Sequence, residues 1–250
     1  MPQIIAVMNQ KGGVGKTTSA INIVAGLHRS GKKVLLVDFD PQANATSGMG
    51  VDKASAPHVY DLIINGTDAA RAIVSTAWGD VIPSNKHLAG AEIELHFTDN
   101  REERLKSSLA PIADKYDYII IDCPPSLGLL TLNALVAATG VLVPVQCEYY
   151  ALEGLSTLTH TIRLVQQRLN PQLALQGIIL TMYDSRTNLS SQVAGEVKKH
   201  FPGKVYKAVI PRSVRLAEAP SHSVPIFGYD LNNVGATAYA ELAAEIVKKG

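Results

Sequence analysis

Short apolar runs rich in Val and Ile alternate with stretches of helical periodicity along the whole chain. The runs fall at positions 4–8, 33–37, 80–83, 118–121, 141–145, 178–182 and 205–210. Most lack the apolar–polar alternation of a half-exposed strand, so they predict strands covered on both faces. Between them, apolar residues recurring every three or four positions predict helices at 17–29, 86–97, 102–113, 129–138, 152–169, 189–200 and 234–249. The punctuation agrees: Gly31 follows the first helix as a left-handed stop, and Asn170-Pro171 closes the long one. Ser126, after Pro124-Pro125, is placed to cap the helix beginning near 129. Alternation of this kind implies an α/β fold with a single doubly wound, mostly parallel sheet flanked by helices, its ligands gathering at the carboxyl ends of the strands. No repeat, low-complexity tract or linker divides the chain, so residues 1–250 read as one domain.

The first strand-to-helix junction carries the most chemistry. The run 4–8 leads into Asn9-Gln10-Lys11-Gly12-Gly13-Val14-Gly15-Lys16-Thr17-Thr18, and a helix follows. Strand, glycine-rich turn and helix are the context of a phosphate-binding loop. Gly12, Gly13 and Gly15 let the backbone N–H groups of the loop, through Val14 and Thr18, curl around an anion at a helix N-terminus. Lys16 then reaches the outer phosphates and the Thr17 hydroxyl ligates Mg²⁺. The common G-x-x-x-x-G-K-[ST] form has glycine at position 10. This chain has Gln10, with a second lysine, Lys11, directly after it.

Three further junctions matter beside that loop. The second run ends in Asp38-Phe39-Asp40-Pro41-Gln42, where a carboxylate can position water for attack on the terminal phosphate or support a Mg²⁺ shell. The run 118–121 ends in Asp122-Cys123-Pro124-Pro125, with Asp122 placed to hold Mg²⁺ through a water. Alone, the acids at 38 and 40 read equally as a solvated turn, and Asp122 reads as a cap or turn residue; beside this loop the metal and water roles outweigh those readings. The two loops after 178–182 and 205–210 lie where a base would sit. There is no N-K-x-D tetrad to pair with guanine, which favours ATP over GTP. These loops carry Arg186, Arg212 and Arg215, and the helix between them carries Lys198 and Lys199. Such charges are either solvated surface or a composite patch for DNA phosphates. The segment Asn44-Ala45-Thr46-Ser47-Gly48 suggests no specific chemistry.

Composition narrows the field without naming a function. The chain has 250 residues, 46% apolar and 18% charged, which is a globular balance, and a net charge of +1 that says nothing of local patches. Its two cysteines, Cys123 and Cys147, have neither metal spacing nor a paired base and read as buried thiols. No signal peptide precedes the first run and no run is long enough to span a bilayer, so an intracellular protein is expected.

The loop 9–18 resembles the deviant Walker A motif of the ParA/MinD ATPases. The likeness continues through 38–48, 118–125, 144–154, 181–188 and 210–220, and is nearest to the chromosome-partitioning ParA/Soj proteins. What the resemblance implies is specific. Asp40 orients the hydrolytic water while Asp38 joins the metal-and-water network. Lys11 of each subunit reaches the other's nucleotide in an ATP-dependent homodimer. Glu148 and Tyr149 lie near the partner subunit, and Met182 and Pro211 touch the adenine. Arg186, Lys198, Arg212 and Arg215 face non-specific double-stranded DNA. The cofactors implied are ATP/ADP and Mg²⁺. A ParB/Spo0J-type partner would stimulate slow hydrolysis, and the protein would be cytoplasmic and nucleoid-associated without stable membrane association. The alternative within the family is a MinD-like membrane-cycling ATPase, which ends in a basic amphipathic helix. Residues 240–250 offer two final lysines and no large aromatic wedge. A nitrogenase-reductase-like iron–sulfur ATPase would need cluster cysteines in suitable places, and a phosphotransferase an acceptor pocket.

Overall fold

The computed structural model describes residues 2–54, 57–149 and 151–249. Tyr150, within the segment 144–154 just named, lies outside them. The apolar runs become β1 (Gln3–Val7), β2 (Val34–Asp38), β4 (Gly79–Ile82), β5 (Tyr118–Asp122), β6 (Gly140–Gln146) and β7 (Ala174–Thr181), with β3 (Val74–Thr76) in addition. They form a seven-stranded sheet in the order β3-β4-β2-β5-β1-β6-β7. Every pairing is parallel except β3 with β4.

Because successive side chains point to opposite faces, each run divides its residues between two cores. Ala6, Leu35, Val37, Ile119, Ile121, Val141 and Val143 pack on one side. There they meet α4 (Leu88–Leu95), α5 (Arg104–Ala113), α6 (Leu129–Ala137) and α7 (Ala151–Arg168). Ile5, Val7, Leu36, Ile120, Leu142 and Ile179 pack on the other, against α1 (Lys16–Arg29) and α11 (Val234–Lys249). Helices α1 and α11 approach so closely that a Cβ on Gly26 would meet the Ala243 Cβ at 3.0 Å. Shorter helices fill the connections: α2 (Asn44–Gly48), α3 (Val59–Ile63), α9 (Val214–Glu218) and α10 (Ile226–Tyr229), with α8 (Asn188–His200) after β7.

Two expectations need correcting. Residues 205–210 are not a strand. The segment runs beside β7 and touches it through an isolated bridge between Ile178 and Val205. The Glu245 carboxylate takes the N–H groups of Lys207 and Ala208, at 3.0 and 2.7 Å, so a ladder cannot form there. The seventh strand is instead β3, three half-buried or exposed residues at the sheet edge, too short to give a periodic signal. Ser126 does not cap α6 either. Gly128 occupies that position, and Ser126 offers its carbonyl to the Thr131 hydroxyl.

The expected stop after the long helix holds, with a further role. Asn170 is buried, and its Nδ2 donates to the carbonyls of Leu135, Val136 and Ala138 at 2.9, 3.2 and 2.7 Å. One amide thus satisfies the carboxyl end of α6 from the end of α7. Replacing Asn170 with Ala strands those carbonyls, and the expected loss is about 1–3 kcal/mol of unfolding free energy. Urea denaturation should show a lower midpoint at unchanged slope.

Candidate functional site

β2, β5 and β1 lie side by side, so the loops leaving their carboxyl ends are brought together. In the ladder Asp38 is opposite Asp122, and Asp122 is opposite Val7, the last residue of β1, which leads into the glycine loop. The loop is anchored from below. Asn9 Nδ2 donates to the Pro144 carbonyl at 2.8 Å, its Oδ1 accepts the Lys11 N–H at 3.0 Å, and the Thr181 hydroxyl donates to the Val14 carbonyl at 2.9 Å. Gly13 and Gly15 have φ of 75° and 86°, which a side chain would resist. Helix α1 starts at Lys16 with no side-chain cap and no acid in its first turn, so its N-terminus is left to an anion.

Both lysines of the loop rest on protein acceptors. Lys16 is buried, and its Nζ donates to the Lys11 carbonyl at 3.0 Å. Burial lowers its pKa, opposed by the nearby Asp122 and Asp40 carboxylates. Lys11 is half exposed at the crest and ion-paired with Glu148 Oε2 at 2.7 Å. Glu148 Oε1 in turn accepts from Gln146 Nε2.

The acids differ in what they have left to offer. Asp38 is fully buried, and burial pushes its pKa up to about 6 against the opposing bonds from Thr46 and Asp40. Its Oδ2 accepts the N–H and the hydroxyl of Thr46, both at 2.7 Å, and its Oδ1 accepts the Asp40 N–H at 3.2 Å. Asp122 is equally buried and its pKa is raised well above the usual carboxylate range, first by burial and then by Asp38, while the nearby Thr17 hydroxyl favours the anion. Neither oxygen of Asp122 has a hydrogen-bond partner. An orphaned carboxylate beside a phosphate loop suits a hydrated cation, which could be held by Asp122 and the Thr17 hydroxyl. Asp38 fits direct ligation poorly, because its oxygens are already committed. Asp40 is nearly buried, and its Oδ1 accepts the Gln42 N–H at 2.9 Å.

Beside the loop is a cavity of about 200 Å³, lined by Gly15, Thr18, Thr181, Met182, Pro211 and Tyr239 among others. The two walls expected at a base are joined by backbone bonds, Tyr183 N–H to the Ile210 carbonyl at 3.1 Å and Arg212 N–H to the Tyr183 carbonyl at 3.0 Å. Met182 has φ of 49°, an unfavourable value for a side-chain-bearing residue, at the cavity wall.

Residues 2–175 match a family model described as an AAA domain. The chain is 58% identical over 253 residues to the sporulation initiation inhibitor protein Soj of Bacillus subtilis, with 100% of each covered. The chain belongs to the Soj/ParA family of P-loop ATPases. It is 52% identical over 250 residues to the chromosome partitioning protein ParA of Myxococcus xanthus, covering 99% of this chain and 88% of that one. A solved structure of cobyrinic acid a,c-diamide synthase from Mycobacterium smegmatis, with bound ADP and magnesium, matches with a TM-score of 0.87 at 40% identity, covering 99% of this chain and 95% of that one.

The basic residues expected of a Soj/ParA protein do not form one cluster of free charges. Arg186 is highly exposed, but its Nε and Nη2 grip both oxygens of Asp184 at 2.9 and 2.7 Å, which holds that carboxyl down at about 2. Arg212, exposed, stands near the same carboxylate. Arg215 lies in another group, within 3.2 Å of Glu218 and 3.3 Å of the Tyr229 hydroxyl. Lys198 is exposed near the end of α8, close enough to Cys147 to oppose the rise of its thiol pKa.

Sequence reading missed Thr46 and Ser84, which connect Asp38 to Asp40, and Thr181, which props the loop. Thr46 sits in a segment that resembled the family without suggesting chemistry. Ser84 follows β4 with no motif around it. For the loop itself, Lys16→Ala should weaken ATP binding by at least the value of a charged hydrogen bond, about 1.5–3 kcal/mol, or roughly 10- to 150-fold. Titration with a fluorescent ATP analogue measures this, with circular dichroism confirming an intact fold.

Proposed function

We propose that the whole chain works as one Mg²⁺-dependent ATPase domain whose ATP-bound form pairs with a second copy and binds double-stranded DNA without reading sequence. The observation that carries this reading is Lys11, presented at the exposed crest of the glycine loop on a weak, solvent-facing ion pair. Exposed pairs of this kind contribute about 0–1 kcal/mol, so a partner's phosphates can compete for the lysine. In the paired state Lys11 of each copy leaves Glu148 and reaches the nucleotide of the other, adding positive charge where the transition state is negative.

The remaining roles follow from position. Lys16 leaves the Lys11 carbonyl for the outer phosphates, and the uncapped N-terminus of α1 supplies N–H donors to them. Met182 and Pro211 flank the adenine. Asp122 and Thr17 would hold Mg²⁺, with Asp38 in the surrounding network, and the ion would offset phosphate charge. Asp40 orients the attacking water. Arg186, Arg212, Arg215 and Lys198 contribute to DNA binding by charge, and a ParB/Spo0J-type partner stimulates the slow hydrolysis that ends it. Used in this way in the cytoplasm, at the nucleoid, the cycle would segregate chromosomes or plasmids.

The MinD-like alternative finds less support. The apolar face of α11, including Tyr239, Leu242, Ala243 and Ile246, is packed in the core rather than available to a bilayer. Among the described residues no helix is long and apolar enough to cross a membrane.

Fluorescence anisotropy with random-sequence duplex DNA tests the switch. Binding should require ATP and fail with ADP or no nucleotide, and Asp40→Ala should bind DNA persistently while losing turnover. Arg186→Glu and Arg212→Glu should each weaken binding and lower the salt slope by about 0.9 per lost phosphate contact, with ATP affinity retained. Equal DNA binding with and without ATP would overturn the reading. Light scattering tests the lysine separately: Lys11→Ala should bind ATP as a monomer, and an ATP-dependent dimer in that variant would remove Lys11 from the mechanism.

A further inference from the structure

We propose that Thr46 and Ser84 are positioning residues that set the placement of Asp40 through a buried relay starting at Asp38. This rests on the reading of Asp40 as the group that orients water. Three segments far apart in sequence meet here: the end of β2, the short helix α2, and the residues after β4. The Asp38 carboxylate takes the Thr46 hydroxyl at 2.7 Å, the Thr46 Oγ1 takes the Ser84 N–H at 2.9 Å, and the Ser84 hydroxyl donates to the Asp40 carbonyl at 2.8 Å. The circuit closes where the Asp40 N–H donates to Asp38 Oδ1 at 3.2 Å. Asp38, Thr46 and Ser84 are fully buried and Asp40 is 9% exposed, so water does not substitute for these bonds.

The chemistry of the members is complementary. The Thr46 hydroxyl has one proton, given to Asp38, and a lone pair left for Ser84, which fixes its rotor. Both faces of the Asp40 peptide frame are held, its N–H by Asp38 and its carbonyl by Ser84, so the aspartate cannot swing about its own backbone. The chain also turns through Ala43 at φ 52°, a conformation that alanine resists and that the surrounding bonds must maintain. On the solvent side Lys53 Nζ donates to the Gln42 carbonyl at 2.8 Å, so the short Asp40–Gln42 segment is held from both sides. The carboxylate of Asp38 is therefore spent on geometry, and Asp122 keeps the free oxygens.

The test compares steady-state ATP turnover by the full chain and by Ser84→Ala, Thr46→Val, Thr46→Ser and Asp40→Ala, with ATP affinity and secondary structure measured for each. Small displacements of a catalytic group cost up to about 100-fold. Ser84→Ala and Thr46→Val should each lower kcat about tenfold with KM and ATP affinity within about twofold, and Thr46→Ser, which keeps the hydroxyl, should restore turnover. Wild-type kcat in Ser84→Ala and Thr46→Val beside an inactive Asp40→Ala overturns the relay and leaves the role of Asp40 standing. Wild-type turnover in Asp40→Ala overturns the role of Asp40 and the relay with it. Loss of ATP affinity in parallel with kcat, or no rescue by Thr46→Ser, reduces the relay to a fold support. If Thr46→Val does not fold, Ser84→Ala, which deletes a single oxygen, decides the matter alone.

Discussion

Two carboxylates end neighbouring strands in register, and both are wholly buried. Placing anions there is costly unless donors, cations or protons compensate. The two acids meet that cost differently. Asp38 accepts three hydrogen bonds from the chain that follows it, so its pKa rises only to about 6. Both oxygens of Asp122 lack a partner within hydrogen-bond geometry, and burial raises its pKa, with Thr17 and then Lys16 the neighbours that favour its ionised form. Identical residues at matching positions thus acquire separate roles from their surroundings alone. One anchors the loop that carries Asp40, and the other is left with unsatisfied oxygens facing the phosphate loop.

That arrangement needs a parallel sheet whose register is rigid at its carboxyl edge. The ladder continues past the strand ends: the Phe39 N–H donates to the Asp122 carbonyl, Cys123 to Val7, and Met8 to Leu142, at 3.0 to 3.2 Å. The first residues of three loops are therefore fixed relative to one another before any side chain acts. A one-residue slip of β2 or β5 would turn Asp38 or Asp122 to the opposite face of the sheet. The continuous Val and Ile runs bury both faces of each strand, so close packing in the two cores and the bonds that anchor the loops, rather than an apolar–polar alternation, hold the register.

What the sequence made legible follows from the same physics. Long apolar runs and helices with clear stops were readable because burial on both faces leaves a pattern in every residue. The glycine loop and the placement of Asp38 and Asp122 beside it were readable because strand-end acids next to such a turn leave a short, ordered motif. The edge strand Val74–Thr76 was not, since three mixed residues carry no period. Residues 205–210 misled because their apolar content serves packing while Glu245, from a distant helix, takes their N–H groups. Thr46 and Ser84 escaped notice because a relay is a property of three-dimensional contact between single residues of common types. The arginines were legible as charges but not as pairs. Asp184 and Glu218 neutralise much of what Arg186 and Arg215 would present, and local sequence does not say which acids fold back.

The loop's two lysines both rest on protein acceptors, Lys16 on a backbone carbonyl and Lys11 on a carboxylate. Lys16 donates to the loop's own Lys11 carbonyl, and on the proposed reading a phosphate would exchange that acceptor for a stronger, charged one. The Lys11 carbonyl is then released, at the residue whose side chain is held by Glu148. Both contacts meet on a single residue: the backbone carbonyl of Lys11 accepts from Lys16, while its ammonium pairs with Glu148. The Asn9 side chain, bonded to the Lys11 N–H and to the Pro144 carbonyl, keeps that residue tied to β6, whose last residue lies two positions before Glu148. The loop and the Glu148 segment therefore share one base, and on the proposed reading an exchange at Lys16 would reach Lys11 through a single peptide unit.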